Sequence, residues 1–140
     1  MKFTGGCHCG NIGIAFTTEL EPADIDVRAC QCSFCLKHNT RAITDPNGTV
    51  LISVDDPSHL VLYAFGLKTA SYVLCGRCGG YVAAITNEEP QRATVIANAL
   101  QDGKRFSKTP IPVTYDTERR EDRVARRRSG WTPAKIVGVD

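Results

Sequence analysis

Seven cysteines lie in three groups along the chain: Cys7-His8-Cys9, Cys30-Gln31-Cys32-Ser33-Phe34-Cys35 and Cys75-Gly76-Arg77-Cys78. They divide most naturally into four plus three. Zinc held by four thiolates is coordinatively closed and structural, whereas zinc held by three protein ligands keeps one position for water or substrate. The count therefore predicts two zinc sites, one holding the fold and one doing chemistry.

Spacing sorts the cysteines between the sites. In an extended strand, residues i and i+2 point to one side, so Cys7 and Cys9 can face one ion while His8 faces away. Cys75 and Cys78, followed by Gly79-Gly80, have the spacing of a zinc knuckle, in which a tight turn lets both sulfurs converge. These four form the predicted structural site, which ties the N-terminus to the middle of the chain. Cys30, Cys32 and Cys35 lie within six residues, and a compact loop can aim all three at one ion. His38 could close that site as a fourth ligand, sit exposed, or transfer protons at its rim. Other pairings of the cysteines stay open, as does Cys30 being a small buried residue. For His8 and His59, surface or supporting roles outweigh metal binding.

The elements that must position these groups are short β runs: Ile12 to Phe16, Thr49 to Val54, Leu60 to Phe65, Ser71 to Leu74, Tyr81 to Ile85 and Thr94 to Ala97. They are rich in Val, Ile, Tyr and Phe, and turn-formers such as Asp45-Pro46-Asn47-Gly48 separate them. An antiparallel, mainly β fold is expected. One helix is expected from Thr117, as N-cap, to Arg128, with Gly130 as its stop. Its acidic first half and arginine-rich last turn suit the helix dipole, and with only Val124 and Ala125 apolar it reads as a surface helix. Its arginines are expected to be solvated or paired to Glu118, Glu121 and Asp122.

At 140 residues the chain has the length of one domain, so residues 1–140 are read as a single unit. The formal net charge is +2. A four-thiolate zinc site totals −2 and a three-thiolate site −1, which brings the chain near neutrality and argues against nucleic-acid binding. The chain lacks an export signal and an apolar run long enough to span a membrane. An odd number of cysteines also fits reduced, metal-bound thiols better than disulfides, so a cytoplasmic location is expected.

As a set, Gly5-Gly6-Cys7-His8-Cys9-Gly10, the Cys30 to Cys35 run, Tyr63-Ala64-Phe65-Gly66 leading to Thr69-Ala70, and Cys75-Gly76-Arg77-Cys78-Gly79 resemble the glutathione-dependent formaldehyde-activating enzyme family, which includes centromere-protein-V-like members. The likeness covers about the first eighty residues and is weaker near Arg126-Arg127-Arg128 and Trp131. It implies an Mss4-like, zinc-stabilised antiparallel β-sheet fold with a structural zinc on Cys7, Cys9, Cys75 and Cys78. It also implies a catalytic zinc on Cys30, Cys32 and Cys35, and a carbon-sulfur lyase that adds glutathione to formaldehyde. A three-thiolate zinc suits activation of a substrate thiol better than hydrolysis, and His38 or a water would handle the proton. Glutathione carries two carboxylates, for which Lys37 and Arg41 are the nearest cations in sequence, ahead of Lys68 and Arg77. The expected partners are a small thiol and a small aldehyde, with a homodimer one option for assembly. The rival reading is a zinc-stabilised β module that binds protein or nucleic acid without catalysis.

Overall fold

The computed structural model describes residues 1–139. The strands are β1 (Lys2–Gly6), β2 (Ile12–Thr17), β3 (Arg28–Cys30), β4 (Ala42–Ile43), β5 (Thr49–Val54), β6 (Leu60–Tyr63), β7 (Ala70–Cys75), β8 (Tyr81–Thr86), β9 (Arg92–Ile96), β10 (Ile111–Val113) and β11 (Thr132–Val137). Two helices accompany them, α1 (Ser33–His38) and α2 (Arg120–Gly130). The fold is mainly β, as the sequence predicts. Among the described residues no helix is long and apolar enough to cross a membrane.

Alternation of apolar and polar residues creates the core. β5 buries Val50, Ile52 and Val54 and exposes the residues between them, the period-2 pattern of a strand with one wet face. Its antiparallel neighbour β2 sets Phe16, Ile14 and Ile12 opposite those three. Phe106 closes the cluster, its ring centroid 5.1 Å from that of Phe3 in an edge-on contact.

The sheet runs β1-β2-β5-β11-β9-β4-β3-β10, and the ribbon β6-β7-β8 joins it through β8 against β9. Most pairings are antiparallel, but β11 runs parallel to β5 and β10 parallel to β3. Both exceptions unite strands far apart in sequence, where no hairpin dictates direction. β11 is the keystone, since its start pairs with β9 and its later residues with β5. A second, smaller apolar cluster of Ala70, Ala84 and Trp131, with Tyr72 against it, lies apart from the main core.

Both helices depart from expectation. α2 starts three residues after Thr117, and Arg119 at its N-cap makes no side-chain capping bond. The preceding residues turn instead: the Glu118 N–H donates to Tyr115 O at 3.1 Å, and Arg123 donates to the same carbonyl at 2.7 Å. Gly130 is the last helical residue and not a stop, because the Trp131 N–H still donates to Arg127 O at 2.9 Å. α1 was expected as loop. It forms because the Cys32 sulfur accepts from the Cys35 N–H at the N-cap, while Asn39 ends the helix with a left-handed φ of 50°.

Candidate functional site

The first sulfur group is built by two turns. Cys7 follows β1 directly, and its N–H donates to Ile12 O at 2.9 Å while its carbonyl accepts from Gly10 at 3.1 Å. Cys7 and Cys9 therefore converge through a tight turn rather than by strand alternation, which corrects the expected geometry. On the other side, Gly79, at φ 79°, donates to Cys75 O at 2.8 Å and closes the knuckle. Gly80 packs so closely that a Cβ there would lie 2.9 Å from that of Cys7.

The Sγ atoms of Cys7, Cys9, Cys75 and Cys78 all lie within 4.8 Å of one another. Cys7 and Cys9 are 3.8 Å apart, and Cys9 and Cys75 3.6 Å. A tetrahedron with Zn–S bonds of about 2.3 Å has edges of about 3.8 Å. Backbone N–H groups point at the sulfurs, Ile12 at Cys7 (3.2 Å) and Arg77 at Cys75 (3.4 Å). Burial pushes the Cys7 thiol up to about 11, whereas N–H groups of Cys9 and Gly80 hold Cys78 down at about 6. Four such thiols ionise together only around a cation, and the donor set fits zinc.

The second group spans β3 and α1. Cys30 ends β3, Cys32 caps α1 and Cys35 lies in its first turn, with all three sulfurs within 4.8 Å of one another. Cys30 is held down at about 6 chiefly by its hydrogen bond with Cys35, and that bond, with burial, pushes Cys35 far up. This donor set also fits a thiophilic ion, and among the described residues no fourth ligand joins it.

His38 is exposed and outside this sulfur group. Its ring lies 4.4 Å from that of Phe34 and 5.3 Å from that of Tyr81. Of its three readings, ligand, exposed residue or proton-transfer group at the rim, the structure shows the exposed position, and it is absent from the adjacent cavity walls. Lys37 is exposed and likewise absent from those walls. The Arg41 guanidinium is turned to Phe106 O at 2.7 Å and lines a separate groove. Arg77 lies 3.9 Å from Asp56 beside the four-sulfur group, and Lys68 is exposed.

The cations that line the cavities beside the three cysteines are others, Arg28 on β3 just before Cys30 and the arginines of α2. Cys30 and Cys35 border an inner chamber of about 60 Å³ walled by Arg28, Tyr72, Tyr81, Arg127 and Trp131, among others. Cys30 and Cys32 border an outer chamber of about 360 Å³ with Phe65, Tyr115, Arg123 and Arg126. Cys30, Tyr72, Tyr115, Arg126 and Arg127 belong to both walls.

α2 lies at the surface with arginines paired to acidic residues, as expected, but its Arg123, Arg126 and Arg127 also line the cavity. Glu118 accepts from Arg123 Nε at 3.2 Å and Arg126 Nε at 2.9 Å, and these bonds hold its carboxyl below the usual range. Arg126 also lies over the Tyr115 ring at 3.6 Å, and buried Arg127 over Trp131 at 4.6 Å. Of the other acidic partners expected, Asp122 bonds Arg119 at 3.1 Å and Glu121 pairs with none of the described cations. The only sequence signal for the inward arginines was Trp131 directly after the helix. An aromatic that large seeks cover, and the last helical turn provides it.

The family model for the glutathione-dependent formaldehyde-activating enzyme matches residues 2–114. The chain belongs to that family. A crystal structure of a Rhodobacter sphaeroides protein is similar to it, with a TM-score of 0.60 and 27% identity over 79% of this chain and 99% of that one. The match ends before α2 and β11, which carry Arg126, Arg127 and Trp131.

Phe34 holds the family cluster in place, its ring 4.6 Å from Tyr72, 5.0 Å from Tyr81 and 5.7 Å from Phe65. Phe34→Ala would leave α1 loosely seated while keeping all three cysteines. Metal affinity at the three-thiol site is expected to fall roughly 10–100-fold, as for loss of other groups that support a ligand. Competition with a graded chelator checks this, with the four-thiol site as the unaffected internal control.

Proposed function

We propose that residues 1–140 act as one domain, a cytoplasmic zinc-dependent carbon-sulfur lyase that joins a thiol such as glutathione to formaldehyde or a related small aldehyde. The observation that carries this reading is the convergence of Cys30, Cys32 and Cys35, without a fourth protein ligand, on a cavity large enough for a small substrate. Zinc held there would keep the three sulfurs as thiolates, leave one position for a substrate thiol and lower that thiol's pKa. Cys7, Cys9, Cys75 and Cys78 would hold a second zinc with no open position.

The protein's own groups account for the rest. The substrate sulfur gives up its proton to solvent at the cavity mouth and forms a bond to the carbonyl carbon. The carbonyl π pair moves to oxygen, which takes up a proton. Tyr72 lines both chambers, and burial pushes its phenol up to about 12, so it keeps its proton and serves as a hydrogen-bond donor to that oxygen. The walls of Phe65, Tyr115 and Trp131 exclude water around the reacting pair.

The test is thiol-dependent consumption of formaldehyde and a panel of small aldehydes by zinc-loaded protein, measured against the spontaneous reaction. Acceleration that disappears on metal removal and returns with zinc is expected. No acceleration with any aldehyde would favour the non-catalytic zinc module. That rival is weakened because Arg123, Arg126 and Arg127 turn toward the cavity and leave less basic surface for a nucleic acid.

A further inference from the structure

We propose that the inner chamber is a carboxylate seat formed by Arg28 and Arg127, so that the substrate pair includes a small molecule bearing a carboxylate close to its reacting group. This rests on the reading of Cys30, Cys32 and Cys35 as the reaction centre. It adds a substrate class and the residues that select it.

Neither guanidinium has a carboxylate partner among the described residues. Arg28 is held by the hydroxyls of Thr44 at 3.1 Å and Thr94 at 3.4 Å, and Arg127 by the Thr69 hydroxyl at 2.6 Å and the face of Trp131. Arginines withdrawn from water are ordinarily paired, because an unmatched buried charge is costly. Arg126 differs, since it has a carboxylate partner in Glu118, which it shares with Arg123.

One further polar group on the same wall is unsatisfied. Arg127 is only 8% exposed and its Nε has no partner, whereas the buried Thr40 hydroxyl is engaged with the Cys35 thiol. Unpaired buried donors are rare in folded proteins and call for a ligand or another explanation. Burial lowers the basicity of both guanidiniums, Arg127 to about 10, yet both stay charged near neutral pH.

Size narrows the occupant. A chamber of about 60 Å³ admits a carboxylate and an atom or two but not a tripeptide, whose remainder would occupy the outer 360 Å³. A carboxylate seated here would bring its neighbouring carbon toward Cys30 and Cys35, which share the same wall.

The single tryptophan, Trp131, reports on the chamber directly. Zinc-loaded protein is titrated with acetate, mercaptoacetate and the uncharged mercaptoacetamide while its emission is followed. Saturable changes are expected with both carboxylates, and mercaptoacetate should bind at least about tenfold more tightly than the amide. Arg28→Gln should weaken carboxylate binding about 10–100-fold, the usual scale for losing a hydrogen bond to a charge, and leave amide binding unchanged. Arg127→Gln should do the same. If it does not fold, half-buried Arg28 still decides the matter.

Equal binding of acid and amide, or an Arg28→Gln protein that keeps the full preference, would overturn the proposal and leave the arginines as counter-charges to the thiolates. This binding readout needs no turnover, so absence of catalysis would defeat the lyase reading alone. Where turnover occurs, two comparisons locate the carboxylate. A fall in kcat/KM on replacing mercaptoacetate with mercaptoacetamide puts it on the thiol, and preference for glyoxylate over formaldehyde puts it on the aldehyde. Insensitivity to both changes would count against the seat.

Discussion

Cys75→Ser is expected to leave a chain that does not fold at room temperature. Cys75 is 1% exposed at the end of β7, where its sulfur meets that of Cys9, 66 residues earlier in sequence. One metal there would join the turn after β1 to the β7–β8 turn, so one lost ligand loosens both ends of the fold. Zinc contributes roughly 10–16 kcal/mol in small zinc-binding peptides, comparable to the whole net stability of about 5–15 kcal/mol of an ordinary domain. Serine would also strand a buried hydroxyl among the three remaining thiols. Circular dichroism should show no cooperative melt, and purified protein should contain less zinc. A soluble variant that melts cooperatively with undiminished zinc would refute the structural assignment.

Cys32→Ser should produce the opposite pattern, a folded protein without activity. Cys32 is half-buried and caps α1, its sulfur accepting from the Cys35 N–H at 3.4 Å. Serine is among the preferred N-cap residues, so the helix survives the exchange. A neutral hydroxyl is a poor replacement for thiolate at zinc, so the second metal should be lost while the first remains. Activity should fall by more than the roughly 10–100-fold typical of groups that merely support a metal ligand. Metal analysis should find one zinc per chain where the parent holds two, with the melting temperature little changed. Full thiol-dependent turnover in this variant would remove the three-thiol site from the mechanism.

The contrast between these serines follows from what each sulfur holds together. The four-sulfur group joins segments distant in sequence, whereas the three-sulfur group lies within six residues on β3 and α1. The first organises the chain and the second depends on an organisation already present.

Cysteine spacing was enough to separate the two groups, because ligands two or three residues apart can converge on one ion in almost any turn. Alternation was enough to bound β5, whose inward Val50, Ile52 and Val54 leave one compatible face. The path of the Cys7 to Cys9 segment was not legible, since an i, i+2 pair converges equally well in a strand or a turn. Nor was α1, whose start depends on a sulfur acting as a helix cap.

The cations show where sequence proximity misled. Lys37 and Arg41 follow Cys35 within a few residues, but Lys37 is exposed on α1 and Arg41 is drawn to Phe106 O. Arg126 and Arg127 reach the cavity because β11 inserts between β5 and β9 and draws Trp131 and the end of α2 over the small cluster of Ala70 and Ala84, while Arg28 reaches it from β3, which also carries Cys30. The sequence by itself determined the grouping of the seven thiols and the β class, since both reside in local spacing and period. Only the tertiary structure decided which charges surround the three thiols, because that depends on strand pairings between distant segments that no local pattern encodes.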